Sequence, residues 1–208
     1  MSVRDGVFIT LEGGEGAGKS TAALRLTTLL REAGHEVLAT REPGGTPGAE
    51  AIRALLLNPD TELTAMAQTM LHFAARADHV ACVIRPALAR GAVVICDRYS
   101  DSTMAYQAYG MGVEIAAVAA LTRLIDLMPD ITFMLEVPES VSKSRLNSRG
   151  AASDRYEQMG AEVMARIAQG FRAIAAAEPA RCVVVDGTEP VEVVVGRMRE
   201  VIRERTGR

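Results

Sequence analysis

Apolar residues follow two alternating rhythms along the chain, short β-rich runs and longer stretches with an apolar position every three or four residues. Residues 6–12, "GVFITLE", form a short β-rich run that ends in a glycine loop, and "STAALRLTTLLREAG" then repeats apolar residues at helical spacing as far as Gly34. This predicts strand, loop, helix. "HEVLATREPGG" predicts a strand running into a Pro-Gly-Gly turn, and "GAEAIRALLL" a helix up to Asn58-Pro59. "LTAMAQTMLHFAARADHVACVIRPALARG" is a long helical pattern that should be interrupted or kinked near Pro86. The β run "AVVICD" follows it. A helix over about 115–128, the strand "DITFMLEV", the basic segment "KSRLNSRGAASDRYE", a helix ending near Glu178, the strand "RCVVVDG" and a helix from about Val191 complete the chain.

Strands and helices alternate throughout, so the expected fold is α/β, a parallel sheet of about five strands covered by helices on both faces. The 208 residues suit a single domain over 1–208, long enough for a core that needs no disulfide or structural metal. With 49% apolar residues, 24% charged residues and a net charge of -3, the composition is that of a globular protein; it lacks the basic excess expected of a nucleic-acid binder. No stretch reaches the ~20 apolar residues of a membrane span, and the first residues lack the parts of a secretory leader. Cys82, Cys96 and Cys182 lie far apart in apolar runs, which predicts buried thiols in a reducing, cytoplasmic setting.

The chemistry concentrates first in "LEGGEGAGKST". Gly13, followed after four residues by Gly18-Lys19-Ser20, matches the Walker A pattern between a predicted strand and a predicted helix. In such a loop consecutive backbone N–H groups face a polyphosphate, Lys19 bridges the outer phosphates, and Ser20 ligates Mg²⁺ at the positive end of the helix. The expected ATP-binding stretch is Gly13, Gly14, Glu15, Gly16, Ala17, Gly18, Lys19, Ser20 and Thr21. This is a P-loop NTPase pattern without the signatures of a GTPase switch or an ABC-type ATPase. Asp97, ending a predicted buried strand, is placed to hold the metal or a metal-bound water, with a cap of the turn as the alternative. Arg98 beside it can clamp a second phosphate bidentately or form a buried ion pair.

"EGxEGAGKST", "TREPGGT", "HFAARADH", "CDRY", "STMAYQ" and "SRGAASDRYE" stand in an order and spacing that resembles bacterial thymidylate kinase over nearly the whole chain. The resemblance implies a nucleoside monophosphate kinase that moves the γ-phosphoryl group of ATP to dTMP with Mg²⁺. It further implies that Arg98 holds the dTMP phosphate with help from Arg53, and that Glu42 lies near metal and acceptor phosphate in a turn stiffened by Pro43. It places Arg76 on the thymine carbonyl edge, Gln107 with Thr103 or Ser102 at the base, and Tyr106 against the sugar.

The family's thymine-stacking phenylalanine falls on His72, with Phe73 one residue later, and Phe73 is the favoured ring with His72 the alternative. His35 and His79 read as surface or helix-packing residues. Because Gly14-Glu15-Gly16-Ala17 supplies no arginine to the loop, the cation for the transferring phosphate is expected from a lid over about 143–157. The resemblance gives Arg149 that task and places Arg145 near the adenine; Arg155 is the neighbour that could replace Arg149. It lets Glu15 meet the acceptor sugar or a lid arginine. A homodimer packed through helices is also implied.

Overall fold

The computed structural model describes residues 6–149, 155–156 and 159–208. Five strands form one all-parallel sheet: β1 (Val7–Glu12), β2 (Val37–Arg41), β3 (Val93–Asp97), β4 (Ile131–Glu136) and β5 (Cys182–Asp186), in the spatial order β2-β3-β1-β4-β5. Both faces are covered, as expected of strands written as near-continuous apolar runs. Alternate residues divide between the two faces. Val7, Ile9, Leu11, Val93, Ile95, Ile131, Phe133 and Leu135 join the core under α1 (Lys19–Glu32) and α9 (Val191–Thr206). Phe8, Val94 and Cys96 point the other way, into a core with Val80, Ile84 and Leu88.

That second face is built by α2 (Pro47–Leu57), α3 (Ala65–His79), α4 (Arg85–Ala89), α5 (Ser100–Thr103), α6 (Ile115–Ile125) and α8 (Ala161–Ala177) with their connecting segments, while α7 (Glu139–Arg149) bonds the glycine loop through Ser142 and Arg145. The expected interruption near Pro86 takes the form of a π turn, Val80–Ile84, in which the Arg85 N–H donates to Val80 O. The wider turn lets the helix run on through a proline that has no N–H to give. A second π segment, Met104–Gly110, continues α5, so residues 100–110 are helical where the hydrophobic rhythm predicted no element. The basic segment is likewise helical in its first half, as the end of α7.

Cys96 and Cys182 are buried as expected, but Cys82 is exposed. The π turn directs Val80 and Ile84 inward and leaves Cys82 on the outer side, near Asp78. No described helix is long and apolar enough to cross a membrane.

Candidate active site

Register gathers the site. Leu11 of β1 and Arg41 of β2 both pair with Asp97 of β3, so three carboxyl ends finish level. Ligands of open α/β sheets bind at this edge. Two cross-links tie the emerging loops together: Arg98 N–H donates to Leu11 O and Glu42 N–H donates to Asp97 O, each at 3.0 Å. A cavity of about 220 Å³ opens there, lined by the glycine loop, Glu42, Pro43, Arg53, His72, Arg76, Asp97, Arg98, Ser102, Thr103, Tyr106, Gln107 and Tyr156.

The glycine loop turns sharply at Gly13, where φ is 133° and a Cβ would stand 2.2 Å from the Leu135 carbonyl oxygen. No other residue fits that approach. Lys19 opens α1 and folds back, donating from Nζ to Gly13 O at 3.1 Å and Gly14 O at 2.7 Å. Burial, with Arg98 nearby, lowers its pKa to about 8. Carbonyl oxygens alone solvate this ammonium poorly, which favours an arriving polyphosphate.

Ser20 Oγ donates to Asp97 Oδ2 at 2.5 Å. Two hard oxygen donors therefore sit side by side at the start of α1, a set that fits Mg²⁺, which takes few protein oxygens and keeps several waters. Glu42 faces elsewhere. Its Oε2 accepts from Arg76 Nε at 2.7 Å and its Oε1 lies 3.1 Å from His79 Nδ1, all three side chains being almost wholly buried. A buried guanidinium needs a counter-charge, so Glu42 orients Arg76 where a position near the metal was expected. His79 is inside the protein and bonds Thr40 Oγ1 as well. Glu42, His79 and Cys96 bring potential ligand atoms within 4.8 Å, but burial holds the Cys96 thiol well above its ordinary pKa and the carboxylate already serves Arg76.

Arg98 adopts a left-handed backbone, φ 71°. Its Nη1 donates to Gly13 O and Ser102 Oγ, both at 3.0 Å, and its Nη2 donates to Glu15 Oε1 at 2.5 Å and Tyr106 Oη at 3.2 Å. Burial opposes the charge, yet Glu15, Tyr106, Asp97 and Glu12 outweigh it and raise the pKa above the ordinary arginine value. Tyr106 Oη in turn donates to the same Glu15 oxygen at 2.8 Å. Arg53 lines the same end and donates to Pro43 O at 2.9 Å.

Deeper in, Arg76 Nη2 donates to Thr103 Oγ1 at 3.1 Å, whereas Arg76 Nη1 is buried with no hydrogen-bond partner among the described residues. An unsatisfied buried donor of this kind is costly until something accepts from it. Gln107, 1% exposed, lines the same cavity. Phe73 does not reach the cavity: it packs with Ala108, Val113 and Val118, its ring 4.7 Å from the Arg76 Cζ. Successive helical residues point about 100° apart, and the packing of α3 turns His72 inward instead. His72 Nε2 bonds Tyr156 Oη at 2.8 Å, and burial, with Arg76 second, lowers its pKa to about 3. The wall is therefore a neutral imidazole. Ser102 is spent on Arg98 and Glu12, leaving Thr103 and Gln107 as polar groups of the cavity wall.

From α7, Arg145 Nη1 donates to Gly16 O at 3.3 Å and Nη2 to Gly187 O at 2.9 Å, while Ser142 Oγ donates to Glu15 O at 2.7 Å. Arg155 Nη2 donates to Asn58 O at 2.7 Å and also to Thr61 O, anchoring this part of the chain to the α2–α3 connection. The side chain of Arg149 and residues 150–154 and 157–158 lie outside the described residues. Glu12 and Tyr156 carried no expectation in the sequence, and His79, expected at the surface or in helix packing, is buried on Glu42 instead. The "DRY" that follows the lid glycine is the one signal that could have pointed to Tyr156.

The family model described as thymidylate kinase matches residues 11–198. A thymidylate kinase of Gluconobacter oxydans is 49% identical over 203 residues, covering 96% of this chain and 95% of the relative. One from Pseudomonas fluorescens is 52% identical, covering 91% of each. Among solved structures, the thymidylate kinase of Ehrlichia chaffeensis superposes with a TM-score of 0.77 at 33% identity, over 95% of this chain and 98% of that one.

Proposed function

The chain belongs to the thymidylate kinase family, and we propose that its cavity joins ATP at the glycine loop to dTMP at the Arg76–Arg98 end. It is a dTMP kinase: the γ-phosphoryl group of ATP passes to dTMP, giving ADP and dTDP. The unpartnered Arg76 Nη1 supports this division most directly, because a donor held by Glu42 at the floor of the cavity suits a thymine carbonyl.

In this reading Gly13 to Thr21 cradle the ATP phosphates and Lys19 turns its Nζ from loop carbonyls to phosphate oxygens. A dTMP phosphate oxygen attacks the γ-phosphorus, the bond to the β–γ bridging oxygen breaks, and ADP leaves with that electron pair. A phosphate monoester is largely dianionic near neutral pH, so the nucleophile needs no general base. Positioning and charge do the catalysis. Arg98, with Arg53, holds the acceptor phosphate; Glu15 is the counter-ion that this phosphate displaces. His72 forms the face against thymine, Thr103 and Gln107 complete the base edge, and Tyr106 crowds the sugar. Ser20 and Asp97 would hold Mg²⁺, which supplies charge neutralisation on the phosphates when bound; Glu42, with Pro43 behind it, contributes by orienting Arg76. Arg149 supplies the cation for the transferring phosphoryl group, and Arg145, between Gly16 and Gly187, flanks the adenine.

The protein is a single cytoplasmic phosphotransfer domain that pairs as a homodimer. Met66 and Met70 of α3 and Ile115 and Leu124 of α6 are exposed on two helices that touch each other, an apolar surface suited to a second copy. ADP release measured across dTMP, dUMP, UMP and AMP tests the substrate assignment. Preference for dTMP over dUMP of about tenfold or more is expected from one methyl group in a fitted slot. Equal efficiency with UMP or AMP would remove it.

A further inference from the structure

Glu12, the last residue of β1, is fully buried and points to the sheet face covered by residues 100–110. Among the described residues no guanidinium or ammonium bonds it directly. Burial, reinforced by the neighbouring Asp101, raises its pKa to about 7, so the fold retains this carboxylate at a cost. Asp101 is itself held by Arg181, through bonds of 2.7 and 2.8 Å. Glu12 has different partners. Its Oε1 accepts the Tyr99 backbone N–H at 2.7 Å and its Oε2 accepts the Ser102 hydroxyl at 2.5 Å.

Both partners flank Arg98. Tyr99 is the next residue along a backbone whose left-handed φ of 71° is unfavourable for a residue with a side chain. Ser102, while giving its proton to Glu12, can only offer lone pairs to Arg98 Nη1, and that bond is present at 3.0 Å. The direction of each bond is thereby fixed: Arg98 donates to Ser102, and Ser102 donates to Glu12.

We propose that Glu12 is a positioning residue for the acceptor-phosphate clamp, holding the Arg98 turn through Tyr99 N–H and the Arg98 guanidinium through Ser102. The inference rests on Arg98 as the clamp. An amide in place of the carboxylate cannot do both tasks. If its oxygen keeps the Tyr99 N–H, its NH₂ faces Ser102 Oγ, the hydroxyl proton must turn towards Arg98, and two donors then oppose each other.

Glu12→Gln is nearly isosteric and removes a buried charge, so its melting temperature at pH 8 should equal or exceed that of the parent. Its KM for dTMP should nevertheless rise by about tenfold or more, with kcat lowered, as for loss of a bond to a charged group. KM for ATP should stay within about twofold. Ser102→Ala should shift the dTMP constants in the same direction, and the double variant should be no worse than Glu12→Gln alone. Unchanged dTMP constants in Glu12→Gln overturn the proposal, as do additive effects in the double variant. So does a joint loss of dTMP and ATP binding with a lower melting temperature, the mark of a merely structural carboxylate. Arg98→Ala, measured alongside, separates the two levels: if it too leaves dTMP constants intact, the clamp assignment fails, and if it alone shifts them, only the role of Glu12 does.

Discussion

Arg98 Nη2 and Glu15 Oε1 meet at 2.5 Å, with 17% of each side chain exposed, across the boundary between the glycine loop and the turn after β3. The loop carries no arginine of its own, and this carboxylate instead lends the acceptor-side arginine a counter-ion. In the proposed division of the cavity, the cation that would hold the acceptor phosphate is therefore already paired before substrate arrives.

Glu15→Gln should accordingly tighten dTMP binding by a few-fold, because the incoming phosphate no longer competes with a carboxylate for Arg98. It should also lower kcat by about tenfold, because the guanidinium loses one of its fixed directions. Calorimetric titration and steady-state rates check both halves, and weaker dTMP binding would mean that Glu15 recruits the acceptor instead of yielding to it.

The hydrophobic rhythm of the chain makes all five strands legible, since each is a short, mostly apolar run that falls between helical repeats. It misses the helix over residues 100–110 for a physical reason. Ser100, Asp101, Thr103 and Gln107 are buried there, so a polar surface faces the sheet where the rhythm needs an apolar one. Arg181 holds Asp101 and Arg76 holds Thr103, partners that come from distant parts of the chain. The Walker A loop, Asp97 and Arg98 are legible because loop chemistry is local in sequence. The Glu42–Arg76–His79 arrangement joins β2 to α3 and is not. Nor does periodicity decide between His72 and Phe73, which share a broad helical face until packing on α6 turns one of them away.

His72 should act on thymine as a flat neutral surface. Its pKa of about 3 keeps it unprotonated from pH 5.5 upward, so it should add no inflection to the pH profile of the dTMP KM in that range. His72→Phe should change KM by no more than a few-fold, whereas His72→Ala should raise it about tenfold through lost stacking. A KM for His72→Ala equal to that of the parent would take the ring off the base.

Glu12 also predicts the slope of stability against pH. Its folded pKa of about 7 lies above the unfolded value of 4.5, so the folded protein binds the extra proton between them. The contribution is fully present below the unfolded value and is lost as pH rises through about 7. Denaturant titrations from pH 5 to 8 should therefore show a smaller loss of stability in Glu12→Gln than in the parent, by up to a few kcal/mol. Parallel curves would contradict the buried, proton-binding carboxylate.

The two flanking arginines of the lid should separate by readout. Arg149→Ala should lower kcat by about 10³-fold with little change in dTMP affinity, and Arg149→Lys should recover only a small part. Arg155, bonded to the carbonyl oxygens of Asn58 and Thr61, should on truncation to Ala affect proteolytic resistance of the lid more than kcat. The reverse pattern in single-turnover rates would exchange their roles.

The division of the cavity into a donor end at the glycine loop and an acceptor end at Arg98 is tested most directly by calorimetric titration of Arg98→Ala with each substrate separately. The predicted result is dTMP binding weakened by about tenfold or more, the scale of a lost charged hydrogen-bond pair, with ATP binding within about twofold of the parent. ATP affinity lost with dTMP affinity retained would contradict it and reverse the two ends.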